Sequence, residues 1–223
     1  MAKYPITKEN NKAGDIDNDL VMLQQQSIFE DRKICLPFAA QSNVMSTIKK
    51  LAIFCGSKKG NNQLYEKHAE ELALLLAQKK VELIYGGGRN GLMGVVADTV
   101  MKGGGIVRGV IPQVLKEWEH QHESISELLV VDDMHIRKRK LYELCDAAII
   151  LPGGFGTLDE LFEILTWNQL SIHDKKIFIL NSAGFYNHLI GHVKLCNEEG
   201  FLYGELNDLL TIISAPDELA AYI

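Results

Sequence analysis

The chain has 223 residues, 47% of them hydrophobic, and a formal net charge of -6 at pH 7. This length and composition predict one globular domain with a large core. The acidic balance argues against a protein whose main task is to coat nucleic acid, because that task needs a clustered basic surface.

The four cysteines are scattered and form no CxxC pair, which excludes zinc-ligand spacing and predicts reduced, mostly buried thiols. Residues 1–31 lack a positively charged start followed by a long apolar stretch, and no segment reaches the roughly 18 apolar residues of a membrane span. We therefore expect a cytoplasmic protein with no membrane or nucleic-acid partner.

Residues 1–45 are rich in Asn, Gln, Asp and Lys and poor in aromatic residues, unlike the rest of the chain. They predict an N-terminal extension that is partly disordered or helical, with residues 19–31 as one helical piece. A tail and a partner-binding arm are both compatible with this pattern. Residues 46–223 predict a single Rossmann-like nucleotide-binding domain.

From residue 51 onward, short apolar runs alternate with helical periodicity. The runs predict strands at 51–55, 81–85, 105–111, 128–131, 147–151, 176–180 and 209–213, and the periodic segments predict helices near 62–78, 91–102, 135–145, 157–170, 185–199 and 216–222. Apolar strands separated by helices indicate a parallel sheet covered on both faces. The predicted class is α/β, a doubly wound, Rossmann-like parallel sheet of about seven strands flanked by helices.

Three predicted strands end in glycine-rich turns, and ligands of such folds bind outside the carboxyl ends of the strands. The turns read CGSKKG (55–60), YGGGRNGLMG (85–94) and PGGFGTLDE (152–160). Glycines permit positive φ and close approach of a ligand, and the following helix start offers N–H groups to phosphate. A single turn of this kind is equally explained by its own geometry, and the GK[ST] ending of a P-loop is absent. Two dense glycine turns favour a mononucleotide over a dinucleotide.

A helix over 135–145 places Arg137 on one stripe with Leu141 and Leu144, which should face the core. A charge there needs a partner. It is either part of a structural ion pair or a fork of donors for phosphate or carboxylate. The neighbouring Arg139 and Lys140 are predicted to be solvated.

Glu160 has two interpretations as well. The segment from Thr157 to Glu160 matches a capping box, in which the threonine hydroxyl and the glutamate satisfy each other's backbone N–H groups. If a phosphate occupies the helix start, it takes those donors and Glu160 is released to face the ligand.

Taken together, PGGFGTLDE, MHIRK (134–138) and YGGGRNGLMG resemble the LOG family, the cytokinin riboside 5'-monophosphate phosphoribohydrolases, once labelled "lysine decarboxylase-like". The likeness covers about residues 51–190. It implies hydrolysis of the N-glycosidic bond of a nucleoside 5'-monophosphate to free base and ribose 5-phosphate, without a cofactor or a metal, in a homodimer or an assembly of dimers.

The resemblance also implies site residues. The family's catalytic arginine and glutamate fall on Arg137 and Glu160. The predicted substrate contacts, including the glycines of the turns, are Gly87, Gly88, Glu119, Lys138, Gly153, Gly154, Phe155, Gly156, Thr157 and Thr166.

Three alternatives accompany this prediction. A pyridoxal phosphate decarboxylase needs a Schiff-base lysine, but Lys175 and Lys176 stand at the polar start of a strand, where solvated lysines are ordinary. His120 and His122 lack a third metal ligand at a fixed spacing and are better explained by a polar loop. A non-hydrolytic nucleotide or cofactor carrier on the same fold stays open.

Overall fold

The computed structural model describes residues 48–116, 121–203 and 206–223, so the predicted extension over 1–45 lies outside the described residues. The strands are β1 Lys50–Phe54, β2 Glu82–Tyr85, β3 Val107–Pro112, β4 Glu127–Val131, β5 Ala147–Ile150, β6 Lys176–Leu180 and β7 Thr211–Ile213. The α-helices are α1 Gln63–Lys79, α2 Gly91–Lys102, α3 Met134–Leu144, α4 Phe155–Gln169, α5 Asn187–Glu198 and α6 Leu206–Leu209. Short 3₁₀ turns occupy Gln113–Leu115, Ser182–Gly184 and Pro216–Ala221.

The seven strands form one parallel sheet in the order β4-β3-β2-β1-β5-β6-β7. The chain runs outward from β1 to β4, returns across the sheet through α3, and then runs outward on the other side from β5 to β7. The predicted doubly wound α/β fold is thus confirmed. The direction reverses between β1 and β5, and a crevice opens at this switch point because the connections leave the two strands on opposite sides.

Two apolar layers cover the sheet, one on each face. Alternate residues of β1 point to opposite layers, as the pleat requires. Leu51 packs with Leu72 and Leu76 of α1, whereas Phe54 packs in the layer that contains Leu141 of α3 and also α4. Full burial of each such side chain contributes about 1.5–3 kcal/mol. Both α3 and α4 therefore lie on the same face of the sheet, and the N-terminal end of each helix lies near the switch point.

Candidate nucleotide-binding site

The three predicted glycine turns meet at the carboxyl edge of the sheet. The backbone N–H of Gly56, after β1, donates to the carbonyl of Pro152 at 3.0 Å. The carbonyl of Gly56 accepts from the N–H of Leu92 at 3.0 Å, at the start of α2. The turn after β1 is thus bonded to the turns after β2 and β5, which fixes all three relative to one another.

A cavity of about 220 Å³ opens at this edge. It is lined from the end of β1 and its turn, from Gly86 after β2, from one face of α3 and from the first turns of α4. Of the predicted site residues, those that line it are Arg137, Lys138, Gly154, Phe155, Gly156, Thr157 and Glu160. The fold therefore brings the two predicted catalytic residues to one cavity, although 23 positions separate them in the chain.

Arg137 is buried, with 6% of its surface exposed. Its Nε donates to the carbonyl of Val110 and its Nη2 to the carbonyl of Gly86, both at 3.2 Å. The predicted core-facing stripe is confirmed for Arg137 and Leu141, which are buried, whereas Leu144 is only half-buried. The carbonyls of Gly86, just after β2, and of Val110, within β3, orient the guanidinium group, whose planar fork of donors suits such fixed acceptors.

Lys138 follows on α3 and lies against α4. Its Nζ is 2.6 Å from Oδ2 of Asp159 and 3.2 Å from Oε2 of Glu163. Burial by itself lowers the pKa of Lys138, but hydrogen bonds to the two carboxylates outweigh this effect and raise the pKa overall. The lysine at the cavity wall is therefore charged and already held by two anions.

The helix that carries Glu160 starts earlier than predicted. Gly154, in extended conformation, is the N-cap residue, and α4 begins at Phe155. Thr157 therefore lies inside the first turn, and the predicted capping box with Thr157 as the cap is wrong. Glycine has no side chain that could cap a helix, so no side chain occupies the N–H groups of the first turn. These groups and the positive end of the helix dipole lie at the cavity.

Gly153 explains why the turn before α4 has its shape. A β-carbon added there would lie 2.1 Å from Oγ1 of Thr157, which is 4% exposed. Gly153 itself lines a neighbouring pocket of about 270 Å³ together with Tyr65 and Phe185. The two pockets share Gly56, Ser57 and Gly154, so the turn after β1 and the start of α4 both lie between them.

Glu160 is partly exposed and lines the cavity together with Phe54 and Cys55 at the end of β1. Burial raises the pKa of the Cys55 thiol well above its ordinary value, and the charge of Glu160 raises it further. Cys55 therefore remains a neutral thiol and does not supply a nucleophile.

Other predicted contacts lie away from the cavity. Gly87 has φ +81° and packs against Leu128 and Ile111, and Gly88 forms an isolated bridge with Gln121. Both serve the packing of the turn after β2. The preceding Gly86 lines the cavity instead.

Thr166 belongs to another surface of α4. Its Oγ1 donates to the carbonyl of Phe162 at 2.7 Å, and it lines an apolar pocket against α5. At 100° per residue, six positions turn Thr166 about 120° away from Glu160. Within one copy of the chain it does not reach the candidate cavity. Glu119 lies outside the described residues.

Sequence reasoning missed three residues beside Lys138, namely Asp159, Glu163 and Tyr142. Tyr142 donates its hydroxyl to Oε2 of Glu163 at 2.9 Å, and Glu163 contacts Lys138. The only sequence signal was the position of both carboxylates, Asp159 and Glu163, beside Glu160 on one helix. Their common target becomes visible only when α3 and α4 are packed together.

The alternative sites have other surroundings. Lys175 donates to the carbonyl of Cys145 at 2.7 Å, and Lys176 begins β6, at the sheet edge opposite the cavity. His122 lies in the loop before β4, as predicted, but it is only 2% exposed and its Nε2 lies 3.0 Å from Oδ1 of Asp98 on α2, whereas His120 lies outside the described residues. Within the described ranges, no group of three or more His, Cys, Asp or Glu is placed to hold a metal, and no helix is long and apolar enough to cross a membrane.

Solved structures share this fold at low identity. The molybdenum cofactor binding protein from Rippkaea orientalis has a TM-score of 0.58 and 21% identity, over 77% of this chain and 93% of its own. The Moco carrier protein from Chlamydomonas reinhardtii has a TM-score of 0.58 and 16% identity, over 77% and 93% of the two chains. At these identities the likeness shows the fold alone.

Sequence relatives are closer. The pattern of the family described as "Possible lysine decarboxylase" matches residues 93–223. Cytokinin riboside 5'-monophosphate phosphoribohydrolase LOG1 of Arabidopsis thaliana is 43% identical over 78% of this chain and 80% of its own. The probable phosphoribohydrolase LOGL2 of Oryza sativa subsp. japonica is 42% identical over 79% and 72% of the two chains. Such identity over most of both sequences means that this chain belongs to the LOG family, the cytokinin riboside 5'-monophosphate phosphoribohydrolases.

Proposed function

We propose that this chain hydrolyses the N-glycosidic bond of a purine nucleoside 5'-monophosphate, of the cytokinin type or AMP, to the free base and ribose 5-phosphate. The observation that carries the proposal is that Arg137 and Glu160 line one cavity together with the uncapped start of α4. The names of the plant relatives, at 42–43% identity, support the same reaction.

The start of α4 is the proposed phosphate site. Its first-turn N–H groups and helix dipole favour an anion, and the glycines at 154 and 156 let the phosphate approach the main chain. With the 5'-phosphate there, the ribose extends toward Glu160, one turn further along the helix. Phe155 and Thr157 line the same cavity and complete the proposed substrate contacts at this turn, and Gly153 is proposed to act through the shape of the turn.

Glu160 is the proposed catalytic carboxylate. As the bond between C1' and the base nitrogen breaks, the ribose gains oxocarbenium character, which a nearby carboxylate stabilises. The same carboxylate orients a water molecule and takes its proton as the new C1'–O bond forms. The proton taken from water passes on to the nitrogen of the departing base, so Glu160 returns to its ionised form and the products are neutral base and ribose 5-phosphate.

Arg137 is the proposed partner of Glu160. Its guanidinium group is already oriented by the carbonyls of Gly86 and Val110, so little ordering is needed when substrate binds. A fixed cation at this place stabilises negative charge on a phosphate or on the leaving base. Lys138 adds a second cation at the wall.

The proposal includes an assembly of copies and a compartment. Exposed apolar side chains occur on and just after α4, at Phe162, Leu170 and Ile172. Such a surface supports a homodimer or an assembly of dimers, to be tested by the mass of the protein in solution.

The free thiols of Cys55 and Cys145 agree with a reducing compartment, and we place the enzyme in the cytoplasm.

The decisive experiment separates hydrolysis from carriage. The full chain is incubated with AMP and with isopentenyladenosine monophosphate, and free base is measured by chromatography. Adenosine, which lacks the phosphate, serves as the substrate control, and the Glu160→Gln protein controls for contaminating nucleosidases. We expect free base from at least one monophosphate and far less from adenosine. Tight binding of both nucleotides without release of base would favour a non-hydrolytic carrier.

A further inference from the structure

Two carboxylates share one lysine at the wall of the candidate cavity. Lys138, with 14% of its side chain exposed, contacts both Asp159 and Glu163. One cation and two anions give this group of three a net charge of -1. A substrate that brings a phosphate into the cavity must therefore compete with the chain's own carboxylates for the lysine.

The two carboxylates are held differently. Glu163 is 26% exposed and also accepts a hydrogen bond from the hydroxyl of Tyr142 at 2.9 Å. Tyr142 is buried, and its ring packs edge to face against Trp167 with ring centroids 5.1 Å apart. Burial raises the pKa of the Tyr142 hydroxyl, so it stays protonated and remains a donor. Glu163 therefore has a rigid second support.

Asp159 lacks such a support. Its side chain is 58% exposed, it lines the cavity, and in the described part of the chain Lys138 is its single ion-pair partner. If the contact is lost, water can hydrate the carboxylate at little cost. If Glu163 lost its contact with Lys138, by contrast, it would lose both its ion-pair partner and the fixed geometry of its side chain.

We propose that Asp159 is an exchangeable internal competitor for the substrate's anionic group. In the empty site Asp159 holds Lys138. When a phosphate-bearing ligand enters, Asp159 releases the lysine to it, whereas Glu163 and Tyr142 keep Lys138 at the cavity wall in both states. This inference rests on the proposed function only in that the substrate carries an anionic group.

The exchange has a consequence for specificity. A neutral nucleoside offers no anion to replace Asp159, so Lys138 stays paired and contributes nothing to its binding. The phosphate group of a monophosphate takes the place of the Asp159 carboxylate, so the charge of Lys138 remains neutralised. The competitor lowers the affinity for every anionic ligand by the value of one half-exposed ion pair, about two- to fivefold.

The test compares the two carboxylates by calorimetric titration with AMP and with ribose 5-phosphate. Glu160→Gln serves as the background, so that AMP is not consumed. We expect Asp159→Asn to lower Kd about two- to fivefold, with a smaller change at high salt because the pair is exposed. Glu163→Gln should raise Kd at least threefold. Glu143→Gln is the matched control, because it removes one exposed negative charge from the pair with Lys140 on α3.

Tyr142→Phe keeps the ring and removes the hydroxyl that supports Glu163. We expect Tyr142→Phe to raise Kd as Glu163→Gln does. The variant that combines the two substitutions should have a Kd no higher than that of the weaker-binding single variant, because Tyr142 and Glu163 act as a unit. In the otherwise native enzyme, Asp159→Asn should lower the KM for AMP by the same two- to fivefold. A structural role for Asp159 would not produce such a gain in affinity.

Two results would overturn the inference. One is an unchanged or higher Kd in Asp159→Asn, with normal folding by circular dichroism. The other is the absence of binding of both AMP and ribose 5-phosphate, which would mean that no anion reaches Lys138. Binding that is strengthened by Asp159→Asn, in a protein that releases no base from any monophosphate, would sustain the inference and reject the hydrolase.

Discussion

Gly86 and Arg137 are in contact at the carboxyl end of β2. The carbonyl of Gly86 accepts a hydrogen bond from Nη2 of Arg137, and a β-carbon added at Gly86 would lie 2.2 Å from that nitrogen. The first glycine of YGGG is therefore required by an arginine that lies 51 positions away in the sequence. The absence of a side chain at Gly86 makes room for the guanidinium group.

This contact predicts the effect of Gly86→Ala. Because Arg137 is buried and held by two carbonyls, its displacement should cost about 1–3 kcal/mol of unfolding free energy. We also expect at least a tenfold loss of turnover. Urea unfolding and the release of free base measure the two effects.

Gly191→Ala is the matched control for that substitution. Gly191 lies within α5 and a β-carbon there meets no atom within 4 Å, so alanine should stabilise the helix by about 0.5–1 kcal/mol. Equal stability changes in both variants would contradict the steric interpretation of Gly86.

The next prediction concerns Glu160. Glu160→Gln keeps the size of the side chain and removes its charge, so transition-state stabilisation is lost while substrate contacts remain. We expect turnover to fall on the order of a hundredfold or more, with Kd for AMP changed less than about threefold. Near-normal turnover with a lowered melting temperature would instead assign Glu160 a structural role in α4.

Adjacent glycines before α4 are expected to respond differently to alanine. A β-carbon at Gly153 would clash with Thr157, whereas one at Gly154 meets nothing within 4 Å. Gly153→Ala should cost about 1–3 kcal/mol because the first turn of α4 must shift. Gly154→Ala should cost less than about 1 kcal/mol, the effect of a poorer N-cap residue. Chemical unfolding of both variants tests this order, and a reversed order would refute it.

His68 predicts a pH dependence of stability. Its Nδ1 lies 2.8 Å from Oγ of the buried Ser182, and burial lowers the pKa of His68 below its ordinary value of 6.5. Below about pH 6.5 the unfolded chain therefore binds a proton that the folded chain resists, so stability falls as the pH falls. His173, whose pKa is also lowered by burial, acts in the same direction.

The measurement is the free energy of unfolding between about pH 5 and 8. His68→Gln keeps a polar partner for Ser182 and should flatten the slope below pH 6.5. His173→Gln should flatten it separately, and the double variant more than either. An unchanged slope in His68→Gln would show that His68 does not resist protonation in the fold.

Local sequence patterns determined most of the fold. Strand β6 and helix α2 have the bounds that their apolar periodicity predicted. The burial of Arg137 followed from its helical stripe in the same way. Such predictions succeed because the period of a strand or a helix is set by neighbours within a few positions. The order of the strands also placed three glycine turns at one edge, as a doubly wound sheet requires.

Tertiary packing decided the details of the site. The capping-box pattern at Thr157 was complete, yet α4 begins at Phe155, because Gly154 takes the cap position and Thr157 packs against Gly153. Lys138 was predicted from its motif, but its two carboxylate partners come from another helix. Contacts between elements depend on how α3 and α4 cross, and no local pattern encodes that crossing. The sequence by itself therefore determined the fold and the edge of the sheet that holds the candidate site, and only the tertiary structure decided which side chains meet there.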